Sequence, residues 1–323
     1  MMSNQKIQEL EVQRTPSTEC CPVCGSDSAA PFLQAPDRFN GRKDPYRLVR
    51  CEACGLVRLS DPPSPTEMPF HYGQEYHKSI QVAGETGIDR RWEHHRRTIS
   101  NLKEQGTILD IGCGTGAFLR SLKGGAWRLY GVEISEDEAQ KARTSTGAEV
   151  FVGDPLDAPF GPETFDVITC FHLLEHVYQP LALLKRIRTW LKPGAILYVI
   201  LPNIDAWEAR IFRSYWYGLE LPRHLFHFSP LSLERAIGAA EMQTVLLHTL
   251  LEDSFSEHSF HYIFEELFQK VGISKAPLSA GLPASFPLKV ARRLFRVSIE
   301  SLFRYAARAA GRGASIEGVF RKE

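Results

Sequence analysis

One stretch of this 323-residue chain, residues 107–118, limits the fold more than any other. A short apolar run ends at Asp110, glycines follow at Gly112, Gly114 and Gly116, and apolar residues then recur at helical spacing. This order predicts a strand, a tight loop and a helix. Glycines let the backbone take positive φ and let a ligand approach more closely than a Cβ would permit. Because the first turn of a helix offers unpaired N–H groups, we expect a polar or anionic ligand group at this loop.

Predicted strands and helices alternate around this loop. Ser135 opens a capping box, and Gly147 ends the helix that follows it. The predicted strands cover residues 107–111, 127–134, 148–152, 165–171, 195–201, 243–250 and 315–321. Strands that alternate with helices of ordinary length imply a mostly parallel α/β sheet with right-handed crossovers.

Acidic residues stand where the first three predicted strands end, at Asp110, Glu133 and Asp154. Open α/β sheets bind ligands at the carboxyl ends of their strands, so these positions favour a ligand site over solvated loop residues or helix caps. The glycine spacing also fits G-x-G-x-x-G/A with Ala117 in the last place. A dinucleotide site therefore stays open, and Glu133 would suit either kind of ligand.

The sequence His172-Leu-Leu-Glu175-His176 follows the fourth predicted strand. It matches the H-x-x-E-H pattern of certain zinc peptidases, but that pattern must lie within a helix, so we reject the peptidase interpretation. His172 and His176 are candidate general bases, because neutral imidazole is available near pH 7. Helix packing or capping remains the alternative role. His224 lies in an aromatic segment, residues 203–229, which we expect to form a lid over the ligand site at the strand ends.

Two C-x-x-C-G knuckles lie near the start of the chain. Their four cysteines suit tetrahedral zinc, with iron as the lesser alternative; they are Cys21, Cys24, Cys51 and Cys54. Cys20 is interpreted as a spare thiol. Five of the seven cysteines lie between residues 20 and 54, and the odd total without a signal peptide favours a reducing, cytoplasmic compartment over a disulfide framework.

Charge gives no argument for a nucleic-acid partner. Basic and acidic residues number 38 each, and both signs are interspersed around the knuckles. A structural or substrate-covering role for this module is therefore favoured over nucleic-acid recognition. A basic amphipathic helix predicted over residues 288–310 either packs on the domain or lies on an anionic membrane surface.

In this order the motifs resemble class I S-adenosylmethionine (SAM) methyltransferases over about residues 89–323. The knuckles and the segment 223–230 also resemble a bacterial subfamily that carries a zinc ribbon and acts in saccharide or secondary-metabolite pathways. The resemblance implies a Rossmann-like, doubly wound seven-stranded sheet in the order 3-2-1-4-5-7-6, with its last strand antiparallel. It implies that SAM contacts these positions: Asp110, Gly112, Cys113, Gly114, Gly116, Glu133, Ile134, Asp154, Pro155, Cys170 and Phe171.

The resemblance further implies methyl transfer to O or C of a small-molecule acceptor, a saccharide or secondary metabolite. The predicted catalytic residues are His172, Glu175, His176 and His224, and zinc is structural. In some related families a Glu-x-x-Glu-His run binds a divalent metal, but here His172 replaces the first acid. Three other functions stay open: an RNA-modifying methyltransferase, a nicotinamide-dependent oxidoreductase and a non-catalytic SAM-binding protein.

The predicted organisation divides the chain into four parts. Residues 1–18 form a tail, 19–60 the zinc ribbon and 61–88 a linker, and 89–323 form the SAM-binding domain. Within that domain, residues 203–229 form a lid and 251–313 a helical insertion. We expect a cytoplasmic protein, and residues 288–310 are the one segment for which peripheral membrane contact stays open as an alternative; the sequence assigns no oligomeric state.

Overall fold

A computed structural model of the protein describes residues 20–72, 90–251, 253–270 and 301–323. The predicted tail 1–18, the linker from residue 73 onward and the first part of the predicted basic helix lie outside these ranges. Among the described residues, no helix is long and apolar enough to cross a membrane.

Eleven strands are described. They are β1 (Ala29–Pro36), β2 (Pro45–Cys51), β3 (Val57–Leu59), β4 (Gly106–Ile111), β5 (Trp127–Glu133), β6 (Glu149–Val152), β7 (Phe165–Phe171), β8 (Leu191–Pro202), β9 (Phe226–His227), β10 (Gln243–Leu250) and β11 (Ser315–Arg321). The seven strands predicted from the sequence correspond to β4–β8, β10 and β11. The longest difference is at β8, which begins four residues before the predicted strand.

The described α-helices lie mostly between these strands. They are α1 (Arg90–Ser100), α2 (Ala117–Ser121), α3 (Glu136–Thr146), α4 (Pro180–Trp190), α5 (Trp207–Phe212), α6 (Pro230–Ala239), α7 (Asp253–Lys270) and α8 (Ser301–Ala309). Helix α3 begins and ends as predicted: the Ser135 side chain accepts a hydrogen bond from the Glu138 N–H, and Gly147 takes a left-handed conformation with φ 77°.

The large sheet has the strand order β6-β5-β4-β7-β8-β11-β10. Strands β4–β8 pair in parallel, whereas β11 is antiparallel to both β8 and β10. This is the predicted order 3-2-1-4-5-7-6 with an antiparallel last strand. It places the carboxyl ends of β4, β5, β6 and β7 on one edge, where the predicted ligand residues lie.

Helices cover both faces of the large sheet. Alternate residues of β7 and β8 point to opposite faces, which is why both strands read as nearly unbroken apolar runs. On one face, Val167 and Tyr198 pack with residues of α1, α2 and α3. On the other, Ile168 and Leu197 pack with residues of α4 and α6.

A second sheet joins the N-terminal region to the predicted lid. Its strand order is β1-β2-β3-β9, and β9 comes from residues 226–227, between β8 and α6. Val57 pairs with His227 and Arg58 pairs with Phe226. The cysteine-bearing sheet and the lid thus share backbone hydrogen bonds, a connection that the sequence analysis did not anticipate.

Candidate functional site

The glycine loop follows β4 as predicted. Gly112, Gly114 and Gly116 have φ angles of 76°, 51° and 78°, values that L side chains rarely adopt. At Gly116 a Cβ would also lie 3.0 Å from the Cα of Ala142 in α3. Glycine at this position therefore permits both the turn and the close packing of α3 behind the loop.

Glu133, the last residue of β5, fixes the loop through backbone donors. One carboxylate oxygen accepts from the Gly114 N–H at 2.8 Å. The other accepts from the N–H groups of Ile134 and Ser135 at 2.8 and 3.0 Å. Because its carboxylate already bonds the loop, this residue holds the ligand-binding backbone in place in addition to any contact with a ligand.

Asp110, near the end of β4, is a buried acid. The Thr169 hydroxyl of β7 donates to it at 2.6 Å. Burial raises the pKa of Asp110 to about 7, with a further contribution from the charge of Glu133, although the Thr169 hydrogen bond opposes the shift. A ligand cation beside this carboxyl would favour its ionised form.

Polar Asp154 and apolar Ile134 lie at the carboxyl ends of β6 and β5. Asp154 accepts a hydrogen bond from the Leu156 N–H at 2.8 Å and so caps a short 3-10 turn, Pro155–Asp157. Ile134 stands beside Glu133 with 78% of its surface exposed. An exposed isoleucine next to a carboxylate is a suitable surface for a planar ring carrying a ribose.

Three predicted cofactor residues, unlike the acids, pack among other side chains of the domain. The Cys113 side chain is buried with its sulfur against Gly131 of β5, consistent with a small residue that fills the loop. Cys170 is buried in the core, and burial raises the pKa of its thiol. Phe171 lies in an aromatic cluster with Trp92 and Phe118, at ring-centroid distances of 5.8 and 4.9 Å.

The four predicted catalytic residues come together after β7. His172 is exposed and has a left-handed backbone with φ 52°. Its Nδ1 lies 3.6 Å from Oε1 of the buried Glu175. Ligand atoms of Glu175, His176 and His224 all lie within 4.8 Å of one another. The segment 172–176 is a turn, as the rejection of the peptidase interpretation required.

Backbone carbonyls orient two of these imidazoles. His176 Nδ1 lies 3.1 Å from the Arg223 carbonyl, and His224 Nδ1 lies 3.0 Å from the Gly218 carbonyl. Since a carbonyl only accepts, both Nδ1 atoms carry the proton and both Nε2 atoms keep a lone pair. Burial lowers the pKa of His176 and of His224 to about 4, so both are neutral near pH 7.

Glu175 faces these neutral imidazoles as a buried carboxylate. Burial opposes its ionisation, but His172, followed by the charges that His176 and His224 carry when protonated, lowers its pKa to about 2. Among the described residues neither of its oxygens has a hydrogen-bond partner. A buried carboxylate without a hydrogen bond is costly unless a cation or a donor enters the pocket. Glu175, His176 and His224 are therefore residues that could hold a metal ion.

The lid is a small core of its own. Trp216, Arg223 and His227 are all buried, so their side chains do not form an open stacking surface for an acceptor. The Arg223 guanidinium lies 3.7 Å from the Asp37 carboxylate of the N-terminal sheet, and its Nε donates to Glu220 at 3.1 Å. This buried arginine connects the lid to the N-terminal sheet.

The four predicted metal-ligating cysteines form one cluster. Their sulfurs lie within 4.8 Å of one another, with Cys21 and Cys54 3.4 Å apart and Cys24 and Cys51 3.5 Å apart. Thiolates around a tetrahedral zinc ion at Zn–S about 2.3 Å would lie roughly 3.8 Å apart, so the spacing fits such an ion. Cys20 is not part of the cluster.

Three residues of the site were missed by the sequence analysis. Thr169 contacts Asp110, the Tyr72 hydroxyl lies 3.1 Å from His176 Nδ1, and Asp37 faces Arg223. Strand alternation places Thr169 on the same face as Asp110 once the β4–β7 register is known. Tyr72 and Asp37 reach the site through tertiary contacts that no local pattern indicates.

Comparisons with known proteins agree with this geometry. A sequence model of the family described as a methyltransferase domain matches residues 85–247. The ubiquinone biosynthesis O-methyltransferase of Paraburkholderia phytofirmans is 25% identical over 165 residues, 47% of this chain and 71% of that protein. The ubiquinone biosynthesis O-methyltransferase of Idiomarina loihiensis is 26% identical over 156 residues, 45% of this chain and 64% of that protein.

Two solved structures share the fold. A SAM-dependent methyltransferase from Archaeoglobus fulgidus superposes with a TM-score of 0.51 at 18% identity, covering 76% of this chain and 100% of that one. Phosphoethanolamine N-methyltransferase 2 from Haemonchus contortus, solved with SAM, superposes with a TM-score of 0.52 at 16% identity, covering 79% of this chain and 59% of that one. Because the family match spans half of the chain and the sheet has the same fold, this protein belongs to the methyltransferase-domain family and is a SAM-dependent methyltransferase.

Proposed function

We propose that this enzyme transfers the SAM methyl group to an oxygen or an acidic carbon of a small metabolite, with a saccharide or secondary metabolite as the acceptor class. The observation that carries the proposal is the cluster of Glu175 with three histidines at the end of β7, three strands from β6 along the ligand edge of the sheet. Methyl transfer from a sulfonium needs alignment and, for a hydroxyl or acidic carbon, a proton acceptor.

His172 is the residue we propose as the base. Its side chain is half-exposed at the strand end, whereas His176 and His224 each form a hydrogen bond with a backbone carbonyl of the lid. The Glu175 carboxylate, 3.6 Å from Nδ1, would hold the proton on that nitrogen, so Nε2 is the atom that we propose takes a proton from the acceptor. His172→Gln would then lower the transfer rate by about 10²–10⁴-fold, the ordinary contribution of a general base, while SAM still binds.

A divalent cation on Glu175, His176 and His224 is the second candidate for activating the acceptor. The carboxylate oxygens without a hydrogen bond and the ligand atoms of the three residues within 4.8 Å of one another favour it. An ion there would polarise the acceptor oxygen and lower its pKa. Dialysis against a chelator distinguishes the candidates: loss of transfer that Mg²⁺ or Mn²⁺ restores supports the ion, and unchanged transfer supports His172 alone.

The acceptor is tested by transfer of labelled methyl groups from SAM. The relatives named for O-methylation in ubiquinone biosynthesis support oxygen as the accepting atom, so hydroxylated aromatic compounds and sugar nucleotides form the first panels. Short RNA at low salt forms a third panel, because phosphate contacts dominate RNA affinity. Label in RNA alone would contradict the small-molecule proposal, and SAM binding without transfer to any panel would indicate a non-catalytic SAM-binding role.

We also propose that the four-cysteine cluster holds structural zinc. The knuckle turns support this: Gly25 N–H donates to the Cys21 carbonyl at 2.8 Å, and Gly55 N–H donates to the Cys51 carbonyl at 2.9 Å. Cobalt substitution tests it, since sulfur-to-cobalt charge-transfer absorption reports on thiolate ligands. We expect Cys24→Ser to reduce this absorption and the matched Cys20→Ser to leave it unchanged; equal loss in both would contradict the ligand assignment.

A further inference from the structure

A second cluster of metal-ligating side chains lies away from the glycine loop. Glu317 of β11 is buried, and its carboxylate Oε2 lies 3.0 Å from His94 Nε2 and 2.8 Å from His248 Nε2. The two imidazoles come from α1 and β10. In the sheet, β11 is separated from the loop strand β4 by β8 and β7, and the rings of His95 and Tyr198 lie 5.2 and 5.1 Å from that of Phe171. The cluster therefore adjoins the proposed SAM site but shares no residue with it.

We propose that His94, His248 and Glu317 form a site for a divalent transition-metal ion of the Zn²⁺ or Co²⁺ class. His94 Nε2 lies 2.9 Å from Oε1 and 3.0 Å from Oε2, and His248 Nε2 lies 2.8 Å from Oε2. Imidazoles from two elements far apart in the sequence thus meet one buried carboxylate. Ligands of a tetrahedral zinc ion at about 2.1 Å lie roughly 3.4 Å apart. Each of the two nitrogen–oxygen contacts would lengthen by about half an ångström when the ion enters.

The carboxylate is oriented by a second layer of polar groups. The Tyr198 hydroxyl donates to Glu317 Oε1, and burial together with Glu317 raises the pKa of that tyrosine, which keeps the donor protonated. The Tyr198 oxygen in turn accepts from His95 Nδ1 at 2.7 Å. Outer-layer hydrogen bonds of this kind orient first-layer ligands at metal sites. Glu317 Oε2 contacts both imidazoles, and Oε1 contacts the Tyr198 hydroxyl and His94 Nε2.

The site is open to solvent on its histidine side. The side chains of His94 and His248 are 53% and 42% exposed, whereas that of Glu317 is fully buried. An ion can therefore enter without unfolding and keep water in its remaining position. Imidazole and carboxylate ligands suit zinc, cobalt or nickel better than calcium or magnesium, which take oxygen ligands. A bound ion would tie α1 to the β10–β11 edge of the sheet.

Cobalt titration of the full chain, with zinc already loaded at the cysteines, tests the proposal. Wild type should take up one more Co²⁺ per chain than His94→Ala or His248→Ala, with visible d–d absorption and no thiolate charge-transfer band. His261→Ala is the matched control, because His261 also faces a glutamate, Glu265, at 3.4 Å, but on a single helix. Any cobalt held by the cluster at Glu175 is common to all these proteins and cancels in the comparison.

Tyr198→Phe tests whether the orientation of Glu317 affects cobalt binding. It removes the hydrogen bond to Glu317 without touching a proposed ligand and should weaken cobalt binding by about 10–100-fold. Circular dichroism confirms that each variant is folded before the titration. Equal cobalt uptake by wild type, His94→Ala, His248→Ala and His261→Ala overturns the proposal and leaves the cluster as a hydrogen-bonded connection between α1 and the sheet.

Discussion

We propose that the cleft has a donor side and an acceptor side, and the two are built in different ways. The donor side consists of the glycine loop and the acids at neighbouring strand ends, and backbone groups make many of its contacts, as at Glu133. The acceptor side is assembled from buried side chains of the N-terminal sheet, the turn after β7 and the lid. Local sequence determines the first, whereas long-range packing determines the second.

The largest expected effect concerns the buried arginine of the acceptor side. Arg223→Ala would leave Asp37 and Glu220 without their shared cation in a buried setting. We expect the free energy of unfolding to fall by about 3–5 kcal/mol, as for other broken buried ion pairs. Denaturant unfolding of the zinc-loaded chain measures this change.

An exposed arginine provides the control for this prediction. Arg47 pairs with Asp61 at 2.6 Å, but the two side chains are 63% and 66% exposed. Arg47→Ala should cost no more than about 1 kcal/mol, because solvent screens exposed ion pairs. Similar losses in Arg223→Ala and Arg47→Ala would show that the connection between lid and N-terminal sheet is not held by Arg223.

A smaller effect is expected at the donor side from Gly116→Ala. The new Cβ would have to accept φ 78° and would meet the Ala142 backbone at 3.0 Å. We expect a loss of about 1–3 kcal/mol in stability, together with weaker SAM binding. Gly194→Ala is the control, since Gly194 has φ 74° but no atom near its missing Cβ. Equal losses in both variants would remove packing against α3 as a cause.

The smallest effect is a pH dependence of SAM affinity. The pKa of Asp110 is about 7, raised mainly by burial. The proposed partner of Asp110 is the ammonium or sulfonium of SAM, which would favour the ionised carboxylate, so binding below pH 7 must release a proton. Affinity should therefore fall about tenfold per pH unit below 7 and level off above it. Calorimetry between pH 6 and 8 measures it, and a flat profile in wild type would exclude this role for Asp110.

Much of the donor side could be predicted from the sequence because its signals are local. The apolar run before Asp110, the glycines and the N-cap at Ser135 each depend on residues close together in the sequence, and β7, β10 and β11 begin and end where predicted. The capping box predicted at Ser135 is present only as this N-cap bond. The strand order followed from the family resemblance, and the structure confirms it.

The acceptor side was predicted only in part. The pattern at residues 172–176 located the histidines, but it could not show that Glu175 is buried or that Tyr72 contacts His176. Pairing of β9 with β3 depends on segments more than 160 residues apart. Burial of Arg223 depends equally on Asp37, whose partner cannot be identified without the fold.

The central claim is that donor and acceptor chemistry reside on separate groups of residues. Calorimetric titration of SAM into wild type, Asp110→Asn and Glu175→Gln tests it most directly. Asp110→Asn keeps the shape but removes the charge that we propose faces SAM, so it should weaken SAM binding; Glu175→Gln should bind SAM like wild type. SAM binding that is unchanged in Asp110→Asn, or reduced equally in both variants, would contradict the account.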